Sequence, residues 1–493
     1  MASQLKKERL RNLGIYGTIR QSEVDDILIP DGAVVESINF HFDRKGASTV
    51  RPGITTIGAS VVAGYNCVGL FNAQQGTALA VFTQTGSSSI YSYSGSSWGV
   101  SLGGGTATVK ARFVDFASFT VAINFDDAVA THAGQSMRFW AAGANGASYW
   151  RSTGNPINPQ NMWGYRLQFG EVYKSRVYLA GDPSYPSRLF FSSVITSAGN
   201  ITWAPTSDFV DINPGDGEDA TGLKRYSLEL LFFKPNYIYR FRTSGVDPDP
   251  LIKVGTRSQE SIIEGKRGVY FHHDTGFYRY SGGYPEEISG PISDVVEAIP
   301  FTQYDDIVSW NDEDHIYWSV GNLTLSETTG DVTWKNVVLC YTESADVWTV
   351  FSYPTNIQKG SVFNNGSSLR RMVGTENGVV AEFHEGTSDL GEPIKYSLIT
   401  KWIEQEIINR KTLQTLVAIC EKAQGIELMY QTDENYEWKT IGTMRKMVNV
   451  FDNLSINWHR IRFKVAGISK LEAPVFRGLE LVKGLVEEMV YHA

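Results

Sequence analysis

Leu228-Glu-Leu-Leu-Phe-Phe-Lys-Pro-Asn-Tyr-Ile-Tyr-Arg-Phe241 contains the pattern that decides the fold of this chain. Two runs of aliphatic and aromatic residues flank the turn Lys234-Pro-Asn236, and this order is typical of a β-hairpin. Further hairpins of this kind are predicted along the first four-fifths of the chain, at residues 78–93, 119–127, 176–192, 268–280, 315–341 and 371–383.

The spacing of these hairpins predicts the architecture. They start roughly every 40–55 residues, which is the range of β-propeller blades. A single hairpin cannot bury both of its faces, whereas sheets stacked around an axis bury them and leave only short edges. We therefore predict an all-β chain with an irregular β-propeller, an N-terminal arm and a C-terminal antiparallel β-sandwich-like domain. One large β-sandwich or several small barrels would give a similar number of strands.

Turn-forming residues are concentrated at Gly386-Thr-Ser-Asp-Leu-Gly-Glu-Pro393, and the character of the sequence changes there. Longer strands are predicted after this point, and they fit a compact antiparallel sandwich. We expect Trp402, Trp438 and Trp458 to pack in the core of that domain. The predicted regions are an N-terminal arm with a first strand (1–57), the β-propeller (58–386) and the sandwich-like domain (387–493).

The composition restricts the possible functions. The 493 residues include 44 basic and 53 acidic side chains, which give a formal net charge of −9. An acidic chain is a poor candidate for an ordinary duplex-DNA-binding protein, although it could line a passage that must not grip DNA. The three cysteines are far apart, and neither a signal peptide nor a run of ~20 apolar residues is evident. We expect a chain without membrane-spanning segments, made in a reducing cytoplasm.

The motifs of common enzymes and cofactor sites are missing from the sequence. We expect no catalytic, cofactor-binding or metal-binding residues and therefore no enzymatic activity. His272 and His273 alternate within a predicted strand, so we expect one packed ring and one exposed ring. The acidic, glycine-rich loop Asp211–Asp219 lacks the ligand order of an EF-hand, and a polar loop is preferred there to a calcium site.

A basic cluster lies near the N-terminus, and two interpretations of it remain open. It consists of Lys6, Lys7, Arg9 and Arg11. One interpretation is a solvated chain end. The other is a contact with an acidic partner or with nucleic acid.

The segment Thr432-Asp433-Glu434-Asn435-Tyr436-Glu437-Trp438 resembles the Ser-x-Asp-x-Gly-x-x-Trp hairpin of sialidase-like propellers. Asn435 replaces the glycine, which is chemically reasonable because asparagine tolerates a left-handed turn. In that family the hairpin is a structural turn and not the catalytic site. An alternative function is therefore a carbohydrate-binding or sialidase-like propeller, in which exposed aromatic rings stack on sugars.

The order of several short motifs resembles the tail hub or nozzle proteins of short-tailed bacteriophages, which are also called packaged-DNA stabilisation proteins. The first motif, Arg51-Pro-Gly-Ile-Thr-Thr-Ile-Gly58, follows two polar segments and precedes the first predicted blade. The other segments that carry the resemblance are residues 24–32, 37–43, 230–245, 258–271 and 288–293.

This resemblance implies a structural virion protein of the tail, assembled in the bacterial cytoplasm. Copies of the chain would form a cyclic ring, a homohexamer, below the portal and its adaptor proteins. The ring would extend the channel for double-stranded DNA and would meet a tail needle or plug and tail fibres or spikes. A mildly acidic lumen would repel phosphate and let the duplex slide. The family offers no catalytic residues to carry over.

Overall fold

β-strands form nearly all of the regular structure in this computed structural model. The structure describes residues 6–485 except for residues 12, 22–27, 43–46, 59–63, 74–76, 94–97, 99–102, 106–109, 117–118, 125–136, 143–147, 152–159, 163, 197–200, 243–248, 251–252, 327–330, 365–368, 405–409 and 470–471. In this described part, the single α-helix is α1 (Ser293–Glu297). Short 3-10 helices lie at Gln160–Met162, Gln259–Ser261, Gly290–Ile292 and Phe301–Asp306.

Five described strands precede the repeated part of the chain. They are β1 (Lys6–Arg11), β2 (Val34–Ile38), β3 (Phe40–Phe42), β4 (Ser48–Val50) and β5 (Ile54–Thr56). Strands β3 and β4 form an antiparallel hairpin, whereas β1, β2 and β5 pair with strands from later parts of the chain.

Five separate four-stranded antiparallel sheets follow, and each is one blade of a propeller. Their strands are paired in chain order, so every blade is a simple meander. Blade 1 contains β6 (Asn66–Ala73), β7 (Thr77–Gln84), β8 (Ser87–Tyr93) and β9 (Gly103–Gly105); blade 2 contains β10 (Arg112–Phe116), β11 (Phe119–Ile123), β12 (Met137–Ala142) and β13 (Ser148–Arg151); blade 3 contains β14 (Phe169–Tyr173), β15 (Arg176–Ala180), β16 (Arg188–Phe191) and β17 (Phe209–Asp211); blade 4 contains β18 (Gly222–Tyr226), β19 (Glu229–Phe233), β20 (Ile238–Phe241) and β21 (Asp249–Pro250); blade 5 contains β22 (Ile263–Glu264), β23 (Val269–His273), β24 (Gly276–Tyr280) and β25 (Glu286–Glu287).

Two further four-stranded units continue the ring as parts of larger sheets. Blade 6 contains β26 (Val308–Asp312), β27 (His315–Leu325), β28 (Val332–Thr342) and β29 (Val347–Ser352), and blade 7 contains β30 (Ile357–Asn364), β31 (Leu369–Thr375) and β32 (Val380–Phe383). The outer strand of blade 7 is β5, since Ile54 pairs with Phe383 and Thr56 pairs with Ala381. A strand from the N-terminal region therefore completes the last blade.

An apolar core lies between each pair of neighbouring blades among the described residues. Phe233 and Phe271 join blades 4 and 5, with ring centroids 5.3 Å apart. Phe363 of blade 7 and Cys67 of blade 1 share another core, which closes the ring. Five more clusters fill the remaining junctions. Both faces of the blades are thereby covered, and the predicted all-β propeller is confirmed.

The C-terminal strands form a two-layered sandwich that packs around its own core. Beyond the propeller, the strands are β33 (Ser388–Asp389), β34 (Glu392–Pro393), β35 (Lys395–Thr400), β36 (Ile403–Glu404), β37 (Lys411–Glu421), β38 (Ile426–Thr432), β39 (Asn435–Met444), β40 (Val448–Phe451), β41 (Ile456–Trp458), β42 (Arg460–Ile468) and β43 (Val475–Leu485). One layer has seven strands, with β37 and β43 at its centre, and it includes β1, β3 and β4. The other layer runs in the order β2-β35-β42-β38-β39 and continues from blade 6, because β2 pairs with β29.

The N-terminal region differs from the expected arm over residues 1–57. Its described strands β1 to β4 belong to the sandwich, and only β5 joins the propeller. Phe40, Phe42 and Val50 are buried in the sandwich core. These apolar side chains lie on short strands that leave water only when the distant C-terminal strands cover them. Sandwich and propeller are therefore built from both ends of the chain.

The three tryptophans of the sandwich have different environments, and the expectation of a shared core is wrong for two of them. Trp458 is fully buried in the sandwich core. Trp402 and Trp438 are half-buried on the outside of the sheet. There the guanidinium of Arg462 lies over both rings, 4.6 Å from the centroid of Trp402 and 5.3 Å from that of Trp438.

Arg51 joins the sandwich to the propeller. Its side chain is fully buried and donates two hydrogen bonds to the carboxylate of Asp389, at 2.8 and 2.6 Å. It also donates to the Asn39 side chain and to the backbone carbonyl of Ser352, and it lies 3.8 Å from the ring centroid of Tyr353. A buried guanidinium requires such partners, because an unpaired charge in the interior is costly. One side chain thus fixes several distant segments.

Gly53 follows Arg51 where two backbone segments come very close. A Cβ atom at this position would lie 1.9 Å from the backbone oxygen of Ser388. Any other residue would push β5 away from the segment that carries Asp389. The Arg-Pro-Gly turn therefore has a structural role.

Replacing Arg51 should strongly destabilise the protein. We expect Arg51→Ala to lower the free energy of unfolding by about 3–5 kcal/mol, because it leaves Asp389 buried without its partner. Arg410→Ala is the control, since Arg410 pairs with Glu434 at 2.8 Å on the surface. Its loss should cost about 1 kcal/mol or less. Denaturant unfolding measures both values, and equal losses would contradict the role of Arg51.

Candidate functional site

The axis of the propeller is lined by the first strand of successive blades. A cavity of about 450 Å³ lies there. Its walls include Val68, Arg112, Gly170, Lys224 and Lys359, which come from blades 1, 2, 3, 4 and 7. The sheets place their innermost strands around this space, so it is the point where side chains from distant parts of the sequence meet.

Glu260 crosses this axial region and forms an ion-pair network. Its segment lies between blades 4 and 5, and its carboxylate receives Arg112 of blade 2 at 2.7 Å and Lys359 of blade 7. Arg112 also donates to the backbone carbonyl of Gln168 at 2.9 Å. Burial alone would raise the pKa of Glu260, but the neighbouring Lys359 and Arg112 lower it to about 2. The carboxylate is therefore ionised and ties three parts of the ring together.

A second cavity, of about 470 Å³, lies beside blades 1, 2, 6 and 7 and is lined mainly by polar side chains, with Val68 and Val320 among them. Lys110 and Asp306 form an ion pair of 2.7 Å at its wall. Six amide side chains contribute to the lining: Asn66, Gln303, Asn322, Asn336, Asn356 and Gln358. Amides can hydrogen-bond to a hydroxylated ligand. None of the described residues that line this cavity is aromatic, so they provide no platform on which a sugar ring could stack.

Three histidines converge where the sandwich meets blades 6 and 7. The ring centroid of His41 lies 4.9 Å from that of His384 and 5.5 Å from that of His315. Asp312 lies beside them, with one oxygen 3.1 Å from His315 Nδ1 and the other 2.9 Å from Arg371 Nε. Burial lowers the pKa of both His41 and His384, so these two rings are neutral at pH 7. The cluster is a packed junction between the two parts of the fold.

The described part of the chain contains neither a metal-holding group of side chains nor a membrane-spanning helix. No group of three His, Cys, Asp or Glu residues there is arranged to hold a metal ion. No helix among the same residues has the length and apolar character needed to cross a bilayer.

The acidic loop Asp211–Asp219 surrounds a protein cation. Lys234 is fully buried, and its ammonium donates to both carboxylate oxygens of Asp216 at 2.7 Å. It also donates to the backbone carbonyl of Asn213 at 3.1 Å and to the Ser187 hydroxyl at 2.9 Å. The lysine of the hairpin that predicted the fold thus occupies the centre of this loop.

The expectation that one of His272 and His273 is exposed is wrong. Both side chains are buried, although they point to opposite faces of blade 5. His272 contacts Tyr304, with centroids 4.7 Å apart, and His273 Nδ1 accepts a hydrogen bond from the Gly255 backbone at 3.4 Å. Neighbouring segments cover both faces of a propeller blade, whereas a sheet at the surface would leave one face in water.

The basic cluster is a row on one strand. Lys6, Lys7, Arg9 and Arg11 all lie in β1, which pairs with β43. Lys7, Arg9 and Arg11 are exposed and alternate along the strand, so they lie on the same face. Arg9 pairs with Glu480 of β43 at 3.0 Å. Whether this row contacts a partner stays a prediction.

Asp433 organises the hairpin that resembles the sialidase-type turn. Its carboxylate accepts hydrogen bonds from the backbone amides of His459 at 3.1 Å and Arg460 at 3.0 Å. These bonds hold the β38–β39 turn against the start of β42. The aspartate therefore acts on the backbone and helps to hold the sandwich layer together.

Arg112, Glu260 and Lys359 were not anticipated from the sequence. They are separated by 148 and 99 positions, and only the closed ring brings them together. The available signal was weak: Glu260 lies within the segment 258–271 that carries part of the family resemblance. A single charged residue in a segment between two blades can have many other roles.

Comparisons with known proteins add little to this geometry. No protein-family model matches the chain. No curated protein sequence matches it either. Solved structures with a similar arrangement include the computationally designed Ika8 protein, at 9% identity over 67% of this chain and 99% of that one, with a TM-score of 0.37.

Two natural structures show a similarly distant likeness. An extracellular domain from B. thetaiotaomicron is 10% identical over 79% of this chain and 47% of its own chain, with a TM-score of 0.40. The Pan2 WD40 domain of Neurospora crassa is 8% identical over 70% of this chain and 98% of its own, with a TM-score of 0.37. These values carry no information about activity or partners.

Removing the charge of Glu260 should lower the stability of the propeller and make that stability less dependent on acidic pH. We expect Glu260→Gln to lower the free energy of unfolding by about 3–5 kcal/mol at pH 7, because Arg112 and Lys359 would face each other without the carboxylate. Because the pKa of Glu260 is lower in the folded protein than in the unfolded chain, its carboxylate stabilises the fold at pH values above about 4.5. This stabilisation is lost as the pH falls from about 4.5 towards about 2. The variant should lack that part of the decline.

Denaturant unfolding at a series of pH values measures this difference. Glu286→Gln is a suitable control, because Glu286 pairs with Arg279 at an exposed site. The control should change stability by about 1 kcal/mol or less. A Glu260→Gln protein with wild-type stability and pH dependence would show that the axial network is not important.

Buried His272 should make the protein sensitive to mild acid. Burial lowers its pKa to about 3, and its Nε2 has no hydrogen-bond partner among the described residues. The unfolded chain takes up this proton near pH 6.5, so stability falls as pH drops below that value, by about 1.4 kcal/mol per unit. His272→Phe should reduce this slope in unfolding experiments between pH 6.5 and pH 4. Identical slopes for both proteins would refute the assignment.

Proposed function

We propose that this chain is a structural virion protein of a short bacteriophage tail. Copies form a cyclic ring, a homohexamer, which acts as the tail hub or nozzle below the portal and its adaptor proteins. The ring extends the DNA channel, retains the packaged genome and conducts it during ejection. The needle or plug and the fibres or spikes of the tail are its other partners. The protein assembles in the bacterial cytoplasm and resides in the virion.

The role of the Arg51-Pro-Gly turn is the observation that carries the proposal. This turn is the first motif of the family resemblance. Its arginine is buried against Asp389, and its glycine allows the close approach to Ser388. These contacts join blade 7 and the sandwich into one rigid unit. The wall of a DNA channel needs such rigidity, because it must resist the pressure of a packaged genome. A motif that needs both a buried arginine and a residue without a side chain supports a common architecture with that family.

The position of Glu260 determines where DNA would pass in this proposal. Its ion pairs with Arg112 and Lys359 cross the axis of the propeller. The axis of a single protomer is therefore closed to a duplex, and the passage is the space enclosed by the ring of protomers. The net charge of −9 favours sliding of the duplex over its adhesion to the channel wall, because an acidic wall repels phosphate.

The carbohydrate-binding alternative has weaker support. The amide-lined cavity has hydrogen-bonding groups suited to hydroxyls, but its described lining contains no aromatic ring. Trp402 and Trp438 are outside that cavity, and Arg462 already lies over their rings. A structural role is therefore the preferred proposal.

Imaging of the assembled particle tests the proposal. We expect electron cryomicroscopy to locate the chain in a closed ring on the tail axis, with six copies around a continuous channel. Native mass spectrometry of complexes released from particles should give the same stoichiometry. A single copy in the particle, or a position away from the channel axis, would refute the proposed function.

A further inference from the structure

The outer face of the seven-stranded sandwich layer carries an unusual combination of side chains. We infer that this face, named here the docking face, binds a second copy of the chain in the proposed ring, so the inference rests on the proposed function. The docking face is defined by Arg9, Arg11, Val417, Ile419, Val448 and Val450.

Strand register places the apolar residues of the docking face side by side. In β37, Leu416, Ala418 and Cys420 point into the core, so the alternating residues Val417 and Ile419 point outward. Register then pairs Val417 with Val450 and Ile419 with Val448 of the edge strand β40. Directly paired residues share a face of the sheet. The four side chains therefore form one continuous apolar strip.

The apolar strip is most open to solvent along β40, whereas Val417 and Ile419 of β37 are half-buried. Val448 is 51% exposed and Val450 is 55% exposed. Met447, which precedes them at the turn into β40, is 59% exposed. Three neighbouring apolar residues at such values are uncommon on a monomer and mark a contact surface. No strand of the described residues pairs with the outer edge of β40, so backbone groups there are available to a partner.

The basic row borders the same strip. In β43, Glu480 pairs with Val417 on one side and with Arg9 of β1 on the other, so all three side chains lie on the same face. Lys7 and Arg11 extend the row along β1 and are exposed. The docking face thus has apolar residues at one side and cations at the other.

The charge of this row identifies the occupant. A cationic row beside an apolar strip is complementary to a surface on which carboxylates lie next to apolar groups. The chain itself is acidic, with a net charge of −9 that already includes this row, so its other surfaces supply carboxylates. Glu480 borders the docking face and is already engaged by Arg9 at 3.0 Å and by Lys7 at 4.0 Å. The carboxylates must therefore come from a different surface of the second copy.

Such a contact is heterologous, because the docking face of one copy meets another patch of the next. Heterologous contacts generate rings when the rotation closes. The four adjacent strands β40, β37, β43 and β1 span about 15 Å, since strands lie about 4.8 Å apart. The apolar strip on β37 and β40 suits the centre of an interface, and the charged row on β1 suits its polar rim.

Two substitutions on the docking face test the inference in the full-length protein. Val450→Asp places a charge in the apolar strip, and Arg11→Glu reverses one charge of the row. Leu369→Asp is the control for the first, because Leu369 is 54% exposed on blade 7. Arg410→Glu is the control for the second, since Arg410 is an exposed arginine elsewhere on the sandwich. Unchanged thermal unfolding establishes that each variant is folded.

Native mass spectrometry and sedimentation velocity measure self-association across a protein-concentration series. Each docking-face variant should weaken association at least about tenfold, whereas the controls should match the wild type. High salt should also weaken wild-type association, because exposed ion pairs are screened, and it should have less effect on Arg11→Glu.

The possible results separate the two proposals. If the wild-type chain forms a ring and both docking-face variants form it equally well, the docking inference is wrong and the proposed function is unaffected. Cross-links from residues 448–450 to a different protein in the particle overturn the second copy as occupant. A wild-type chain that occurs as a single copy both in solution and in the particle overturns the proposed function, and the docking inference with it.

Discussion

The buried ion pair between Arg51 and Asp389 is the constraint on which the rest of the structure depends. A guanidinium in the interior is tolerated only if its donors are satisfied, and Asp389, Asn39 and Ser352 satisfy them together. This requirement holds β5 beside β32, so the ring closes with a strand from the opposite end of the chain. It also holds the sandwich against blades 6 and 7.

Burial on both faces explains several features that a surface sheet would not show. His272 and His273 are buried because neighbouring blades cover each side of β23. Glu260 can remain ionised inside the ring because Arg112 of blade 2 and Lys359 of blade 7 both reach its carboxylate. Lys234 fills the centre of an acidic loop in a similar way. These charges are fixed and intramolecular, which suits a rigid element whose contacts with partners lie on its outer surface.

The hairpins were predictable because their signal is local. The prediction for Leu228–Phe241 corresponds to β19 and β20, since alternating apolar runs around a turn specify a strand pair within a few residues. Strand β43 lacks a comparable local signal, because Gly478 and Gly484 interrupt its pattern and its partners β37 and β1 are distant. Trp438 and Trp458 look alike in sequence, and only the packing of β42 and β39 separates the half-buried ring from the fully buried one.

The amino-acid sequence by itself determined the β-strands, their turns and the propeller class, because period-two patterns and turn residues act over short distances. The tertiary structure alone decided which strand closes the ring, where the N-terminal strands belong and which charges meet at the axis. It also placed the basic row of β1 next to the apolar strip of β37 and β40. These features depend on contacts between residues hundreds of positions apart, and no local pattern encodes which distant partner will satisfy a buried charge or cover an apolar face.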